Sequence, residues 1–302
     1  MAAITDGQLE IAGVLVIGDD TDYRLPRDWI QWWTATEVRT SDVARSGANG
    51  YVPGLDLLGK HVSTIQVLII ADSEAELGDH IDTWKAACAS TPDFQVAVRA
   101  NLLGRTRVRF GRFRIPGDVT VDQWSRDYGD LDPSRCAVAR AYGHAQFEVL
   151  AGGLTFGDDV HSVITARTVA GTGFTPVFTV PFTLGTAAGG SVTVHNGGNA
   201  PAPWTGRLDG PLTFPDITHE ESGKRLSLDF VANGGINLPA GQWIDLDSSK
   251  RSVLLNGTAD RRTQLTVDSD WWQLDPGDNT FALDADAGTG TLTVTWRDGY
   301  YS

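Results

Sequence analysis

From about residue 190 onward the chain alternates apolar and polar residues in short runs broken by Asn-Gly pairs, and no helical period of useful length competes with that alternation. A period of two places every second side chain on one face of an extended strand. In Thr291–Trp296, Leu292, Val294 and Trp296 alternate with threonines; in Arg225–Phe230, Leu226, Leu228 and Phe230 alternate with Arg225, Ser227 and Asp229. Asn279–Asp284 and Gly190–His195 repeat the pattern, with Phe281/Leu283 and Val192/Val194 facing inward. Asn-Gly at 196–197, 233–234 and 256–257 offers the positive φ angles that tight hairpins need. Residues 153–302 also hold 20 of the 34 glycines and 8 of the 13 prolines, the residues that punctuate turns. The pattern predicts an antiparallel β-sandwich with one wet face per sheet.

The first half is mixed. Ser73 and Glu76 have the spacing of a capping box, and Leu77, Ile81, Trp84 and Cys88 follow at steps of four, three and four, so a helix is expected over about 73–89, closed by Pro92. Strands are expected at Val62–Ala71, Phe94–Ala100, Arg105–Ile115 and Cys136–Leu150, with turns at 116–118 and Gly129–Pro133 giving a long hairpin over about 116–150. This is a β-rich domain with a single helix, 1–152, followed by the sandwich domain, 153–302, with the boundary at Ala151–Gly153.

Composition narrows the function classes. The longest comparable apolar run, Ile11 to Ile17, is far short of a membrane span, and Asp6 and Glu10 before it do not suit a signal peptide. A net charge of −14 disfavours nucleic-acid binding, because no counterion-release affinity is available to the chain as a whole. Two cysteines make neither a disulfide framework nor a four-cysteine zinc site.

Catalytic signatures are missing. The sequence has no nucleophile-elbow, zincin, phosphate-loop or dinucleotide motif. Asp79-His80-x-Asp82 falls on the solvated side of the expected helix, and Glu220-Glu221 beside Ser222-Gly223 reads as a hairpin tip. Trp243, Asp245 and Asp247 share the outward face of a strand, where a calcium or sugar contact is conceivable, and Asp275–Asn279 reads as a turn. No cofactor or metal is implied. The adjacent pairs Trp32-Trp33 and Trp271-Trp272 stand out among ten tryptophans. In a strand one of each pair points away from the core, making all four candidates for an exposed aromatic contact with a glycan or a protein. The alternative is a loop that curls both rings inward. Arg99, Arg105, Arg107, Arg109, Arg112 and Arg114 crowd a stretch with no acid between Asp93 and Asp118, and Arg105, Arg107 and Arg109 share one strand face.

The second half resembles a known family. Asn199–Trp204 leading to Gly210-Pro211, Gly241-Gln-Trp-Ile-Asp245, Arg251–Gly257, Leu274-Asp-Pro-Gly-Asp-Asn279 and Trp296-Arg297-Asp298 resemble, in order and spacing, the distal tail proteins of phages with long non-contractile tails. The resemblance covers about residues 190–302; the first half matches in architecture alone. It implies a structural protein rather than an enzyme. The N-terminal domain would be a tail-tube-like belt forming a homo-hexameric ring, and the C-terminal domain a galectin-like sandwich serving as attachment platform. Implied partners are the tail tube protein, a tail-tip hub protein and receptor-binding or tail fibre proteins, at the virion tail tip after assembly in the host cytoplasm. DNA would pass through the lumen without specific binding. A closed head-to-tail ring needs complementary surfaces, which the Arg105/Arg107/Arg109 face and the Asp19, Asp20 and Asp22 loop could supply. The other function class left open is a carbohydrate-binding β-sandwich contacting cell-wall glycans. No galectin sugar-site residue is assigned here.

Overall fold

A computed structural model of the chain describes residues 4–25, 32, 38–45, 49, 51–52, 54, 57–59, 61–89, 96–121, 139–149, 154–166, 190–229 and 234–301. They are mostly β, paired antiparallel throughout the described ladders, with one α-helix among the described residues. Two compact units are formed, Met1–Asp158 with Tyr301–Ser302, and Asp159–Tyr300. The expected boundary at 151–153 lies outside the described residues, as do Trp33, Pro92, Phe230 and the loop at 129–133.

The first unit is organised by one sheet. Its strands run in the order Leu15–Ile17, Gln8–Ile11, Val96–Leu102, Arg105–Val121, Ala139–Val149, His61–Ala71 and Tyr23–Arg24. The two ends of that order are neighbours in sequence, and Gly18 N–H donates to Tyr23 O at 2.8 Å, so the sheet curls back on itself. Strict alternation along His61–Ala71 buries His61, Ser63, Ile65, Val67, Ile69 and Ala71 on one face. The helix Glu74–Cys88 packs on the sheet through Leu77, Trp84, Ala87 and Cys88. Ser73 caps it, its Oγ accepting from Glu76 N at 3.2 Å, while Glu76 Oε2 accepts from Asp72 N at 3.0 Å. Trp84 lies close on the sheet because Gly143 has no side chain; a Cβ there would stand 2.8 Å from Trp84 Nε1 and 2.6 Å from Val67 Cγ1.

One expected turn is absent. Arg105–Val121 is a continuous strand, and 116–118 forms an irregularity in it, with register shifts between Phe113/Ile115 and Ile115/Asp118 before pairing resumes at Asp118 opposite His144. Pro116 and Gly117 favour such a bulge as readily as a turn, since Pro needs no ladder partner and Gly117 takes φ 50°. The hairpin therefore has legs Arg105–Val121 and Ala139–Val149.

The second unit is a sandwich. A six-stranded sheet runs His161–Ala166, Thr291–Trp296, Trp204–Asp209, Trp243–Asp247, Ser252–Leu255, Ala259–Asp260, and a four-stranded one runs Gly190–Asn196, Gly277–Asp284, Asp216–His219, Arg225–Ser227. The inward faces carry the expected residues, including Leu292, Val294, Trp296, Phe281, Leu283, Val194 and Leu226. Trp204 of one sheet meets Phe281 of the other edge-on, with centroids 5.0 Å apart. The Asn256-Gly257 turn has φ 50° and 74°, as its sequence demands. Asn196-Gly197 is not such a turn. Asn196 is buried, and its amide donates to Ala200 O and Leu274 O at 2.9 and 3.0 Å and accepts from Gly198 N and Gly299 N, both at 3.1 Å.

Candidate functional site

The arginine face resolves into separate positions. Arg105 is exposed and Arg107 half-buried, with Arg107 Nη1 donating to Thr106 O at 3.2 Å. Arg109 is fully buried. The expectation of a shared exposed face for Arg105, Arg107 and Arg109 is therefore corrected. The cause is the neighbouring ladder. Val149 ends its strand opposite both Gly111 and His61, so Arg109, two residues before Gly111, extends past that end to the His61–Ala71 strand. Its Nη1 donates to His61 Nε2 at 2.9 Å and to Ser63 Oγ at 3.1 Å, its Nη2 donates to Trp32 O, and its guanidinium lies 4.4 Å from the Trp32 ring centroid.

This cluster fixes proton positions. Arginine can only donate, so His61 Nε2 is an acceptor and the ring proton sits on Nδ1. Burial, with the adjacent Arg109 charge, pushes the His61 pKa down to about 4, and burial lowers Arg109 to about 10. At neutral pH Arg109 is a cation facing a neutral imidazole. Such a residue holds strands together and has no surface to offer a neighbour.

The other arginines find acids that the linear sequence hides. Register places Glu148 opposite Arg112, and Glu148 Oε2 accepts from Arg112 Nε at 3.3 Å and from Arg114 Nε. These hydrogen bonds, the one from Arg114 foremost, hold the Glu148 carboxyl below the usual range. Arg99, opposite Glu10 in the ladder, pairs with Glu10 and, through Nε at 2.8 Å, with Asp158. Glu10, Glu148, His61 and Ser63 are the partners that a linear reading misses; only strand register identifies them. Asp19, Asp20 and Asp22 are exposed in the turn at the sheet's seam.

The tryptophans divide between core and surface. Trp32 is buried beneath Arg109, and Trp33 lies outside the described residues. Trp272 is buried in the sandwich, stacked on His219 at 5.5 Å, with its carbonyl accepting from Trp204 Nε1 at 3.1 Å. Trp271 is half-buried, 6.3 Å from the Trp204 ring, and lines an open groove. The segment before Leu274 is a loop rather than a strand, so both rings turn towards the core, one fully.

Elsewhere the carboxylates serve the fold. Trp243 and Asp245 project outward as expected, but Trp243 Nε1 donates to Asp245 Oδ2 at 3.0 Å and Arg207 covers the Trp243 ring at 4.4 Å. Asp247 Oδ1 caps a turn by accepting from Ser249 N and Lys250 N. Asn279 braces the turn after Asp275 through Asp275 N and O and Gly277 O. His80 Nδ1 lies 3.1 Å from Ile70 O, leaving Asp79 and Asp82 exposed without it. Among the described residues no group of metal-binding side chains converges, and no helix is long and apolar enough to cross a membrane.

Fold and side-chain chemistry together define a mostly antiparallel β-protein of two units whose charged clusters brace strands. Residues 197–300 match the model of the SPP1 Dit family, described as the siphovirus-type tail component, C-terminal domain. The resemblance read from the sequence falls on this same family. The whole fold is similar to the crystal structure of the Dit protein of phage SPP1, described as a paradigm of the hub adsorption apparatus in phages infecting Gram-positive hosts. That likeness covers 97% of this chain and 98% of that one, at 17% identity and a TM-score of 0.56. A chain of the phage p2 baseplate in its activated conformation with calcium aligns over 95% of this chain and 97% of its own, at 10% identity and a TM-score of 0.48. No curated protein sequence matches.

Proposed function

We propose that this chain is a structural hub of a long non-contractile phage tail, a hexameric ring that joins the tail tube to tail-tip and receptor-binding proteins. The observation that carries the reading is the match of residues 197–300 to the siphovirus tail-component domain. The likeness in fold to the SPP1 hub protein along nearly the whole of both chains supports extending it to the first unit. The chain is a scaffold rather than an enzyme, working at the virion tail tip after assembly in the host cytoplasm.

In that ring the exposed Arg105 and the half-buried Arg107 face the acids Asp19, Asp20 and Asp22 of the next copy, a head-to-tail contact that closes on itself. Arg109 takes no part. A carbohydrate-binding module in its own right is the weaker reading, because Trp32 and Trp272, two of the tryptophans that supported it, are in the core. Light scattering on the purified chain, with negative-stain imaging of the same peak, tests the proposal. A holed particle of six times the 32.5 kDa chain mass is expected. A single-chain mass at every concentration, without rings in the images, refutes the hexamer.

A further inference from the structure

The sandwich carries a groove of 480 Å³. Its lining includes Trp271, Trp272, His219, Lys224, Arg251 and Asp275. Trp271 is half-buried against Trp204, so packing fixes its ring while part of it stays open to the groove. Lys224 and Arg251 are exposed and form no ion pair among the described residues, which leaves two cations against the single carboxylate of Asp275 in a chain of net charge −14. Trp272 is buried in the wall, and its Nε1–H has no acceptor among the described residues. His219 is held on both sides, Nδ1 at 2.7 Å from Ser222 Oγ and Nε2 at 3.2 Å from both Asn279 Oδ1 and Glu221 Oε2, so the wall beneath the groove is rigid.

We infer that this groove binds an acidic saccharide, a short glycan bearing carboxylate or phosphate groups. A fixed indole beside hydroxyls and unpaired cations matches a ligand with an apolar C–H face, hydroxyl groups and negative charge. Size agrees: ligand sites commonly span about 300–1,000 Å³, whereas a stable protein partner needs upwards of about 1,200 Å² of buried surface. The glycan is held and not cut, because glycoside hydrolysis needs a carboxylate pair across the bond and this lining has Asp275 alone. The inference is independent of the hub reading and stands on the groove.

Calorimetry and tryptophan emission on the full chain test it, with an oligogalacturonate, a neutral maltooligosaccharide, inorganic phosphate and a glutamate-rich peptide as probes. The oligogalacturonate should bind saturably, and about tenfold more tightly than the neutral sugar, as two exposed charge contacts together allow. Trp271→Ala should weaken it about tenfold through lost stacking, and Trp271→Phe should restore most of the affinity. Lys224→Gln with Arg251→Asn should remove the preference for the acidic sugar; Asn is chosen because Arg251 has φ 51°. Melting curves check that each variant is folded, and the double charge variant still decides the matter should Trp271→Ala fail to fold. The proposal is overturned by absence of saturation, by equal affinity for the neutral sugar, or by binding that survives both sets of substitutions. Phosphate binding as tightly as the saccharide would make the groove a simple anion site. The peptide doing so would make it a docking point for an acidic protein loop.

Discussion

Replacing Arg109 by Met separates a residue that holds the first unit together from one that holds a ring together. In the folded chain the Arg109 guanidinium donates to Trp32 O, Ser63 Oγ and His61 Nε2. Hydrogen bonds to a charged group contribute about 1.5–3 kcal/mol each, so three amount to about 4.5–9 kcal/mol. Against that stands the cost of burying the cation. The fall of its pKa from 12.5 to about 10 corresponds to about 3 kcal/mol that Met would not incur. The net expectation is a loss of about 3 kcal/mol, towards the lower end of the difference because Met fills part of the space. Urea unfolding followed by tryptophan emission is the natural assay, since the Trp32 ring lies 4.4 Å from the guanidinium. The transition of the first unit should shift to lower urea, while Arg105→Met, at an exposed position, should change stability by no more than about 0.5 kcal/mol. If Arg109→Met unfolds with the parent and only loses oligomers, the buried network is wrong and the arginine belongs to an interface.

Further expectations follow from the same geometry. His61 is held near 4 against an ordinary 6.5, so the unfolded chain binds the extra proton between those values; this contribution is complete above pH 6.5 and declines by about 3 kcal/mol as pH falls to 4. Melting of the first unit across that range should show the slope, and His61→Gln should flatten it. Asn196→Ala takes the partner from Ala200 O and from the Gly198 and Gly299 N–H groups, while Leu274 O keeps its bond from Ala202 N, and should cost about 2–4 kcal/mol, read as an earlier melt of the second unit alone. Ser73→Ala removes the helix cap and should lower the stability of the first unit by about 1 kcal/mol in the same assay.

Local periodicity was legible where one element decides its own faces. The run Thr291–Trp296 forms a strand with Leu292, Val294 and Trp296 inward, and the Ser73 cap and Leu77/Trp84/Cys88 stripe give the helix. What the sequence hid depends on a second strand. Arg105, Arg107 and Arg109 do alternate with Thr106 and Val108, but whether that face is wet turns on where Val149 stops. The apparent lack of acids near the arginines had the same origin, since Glu148 and Glu10 arrive by register from remote positions. Sequence alone left open whether each tryptophan pair lies in a strand or in a loop that turns both rings inward, and at Trp271-Trp272 a loop forms. Asn196-Gly197 misled because the side-chain amide, rather than the backbone angle, is what the position requires.

That amide has a consequence for how the domain closes. Asn196 joins the Gly198 and Gly299 N–H groups, Ala200 N–H donates to Gly299 O at 3.0 Å, and Gly197 N–H donates to Asp298 Oδ1 at 3.0 Å. The stretch that matches the tail-component family therefore begins and ends at one knot. Hydrogen bonds between positions 101 and 103 residues apart close that stretch into a loop, so the knot itself offsets the chain entropy that closure costs. The same knot means that shortening the chain before Gly299 would undo the start of the sandwich as well as its finish.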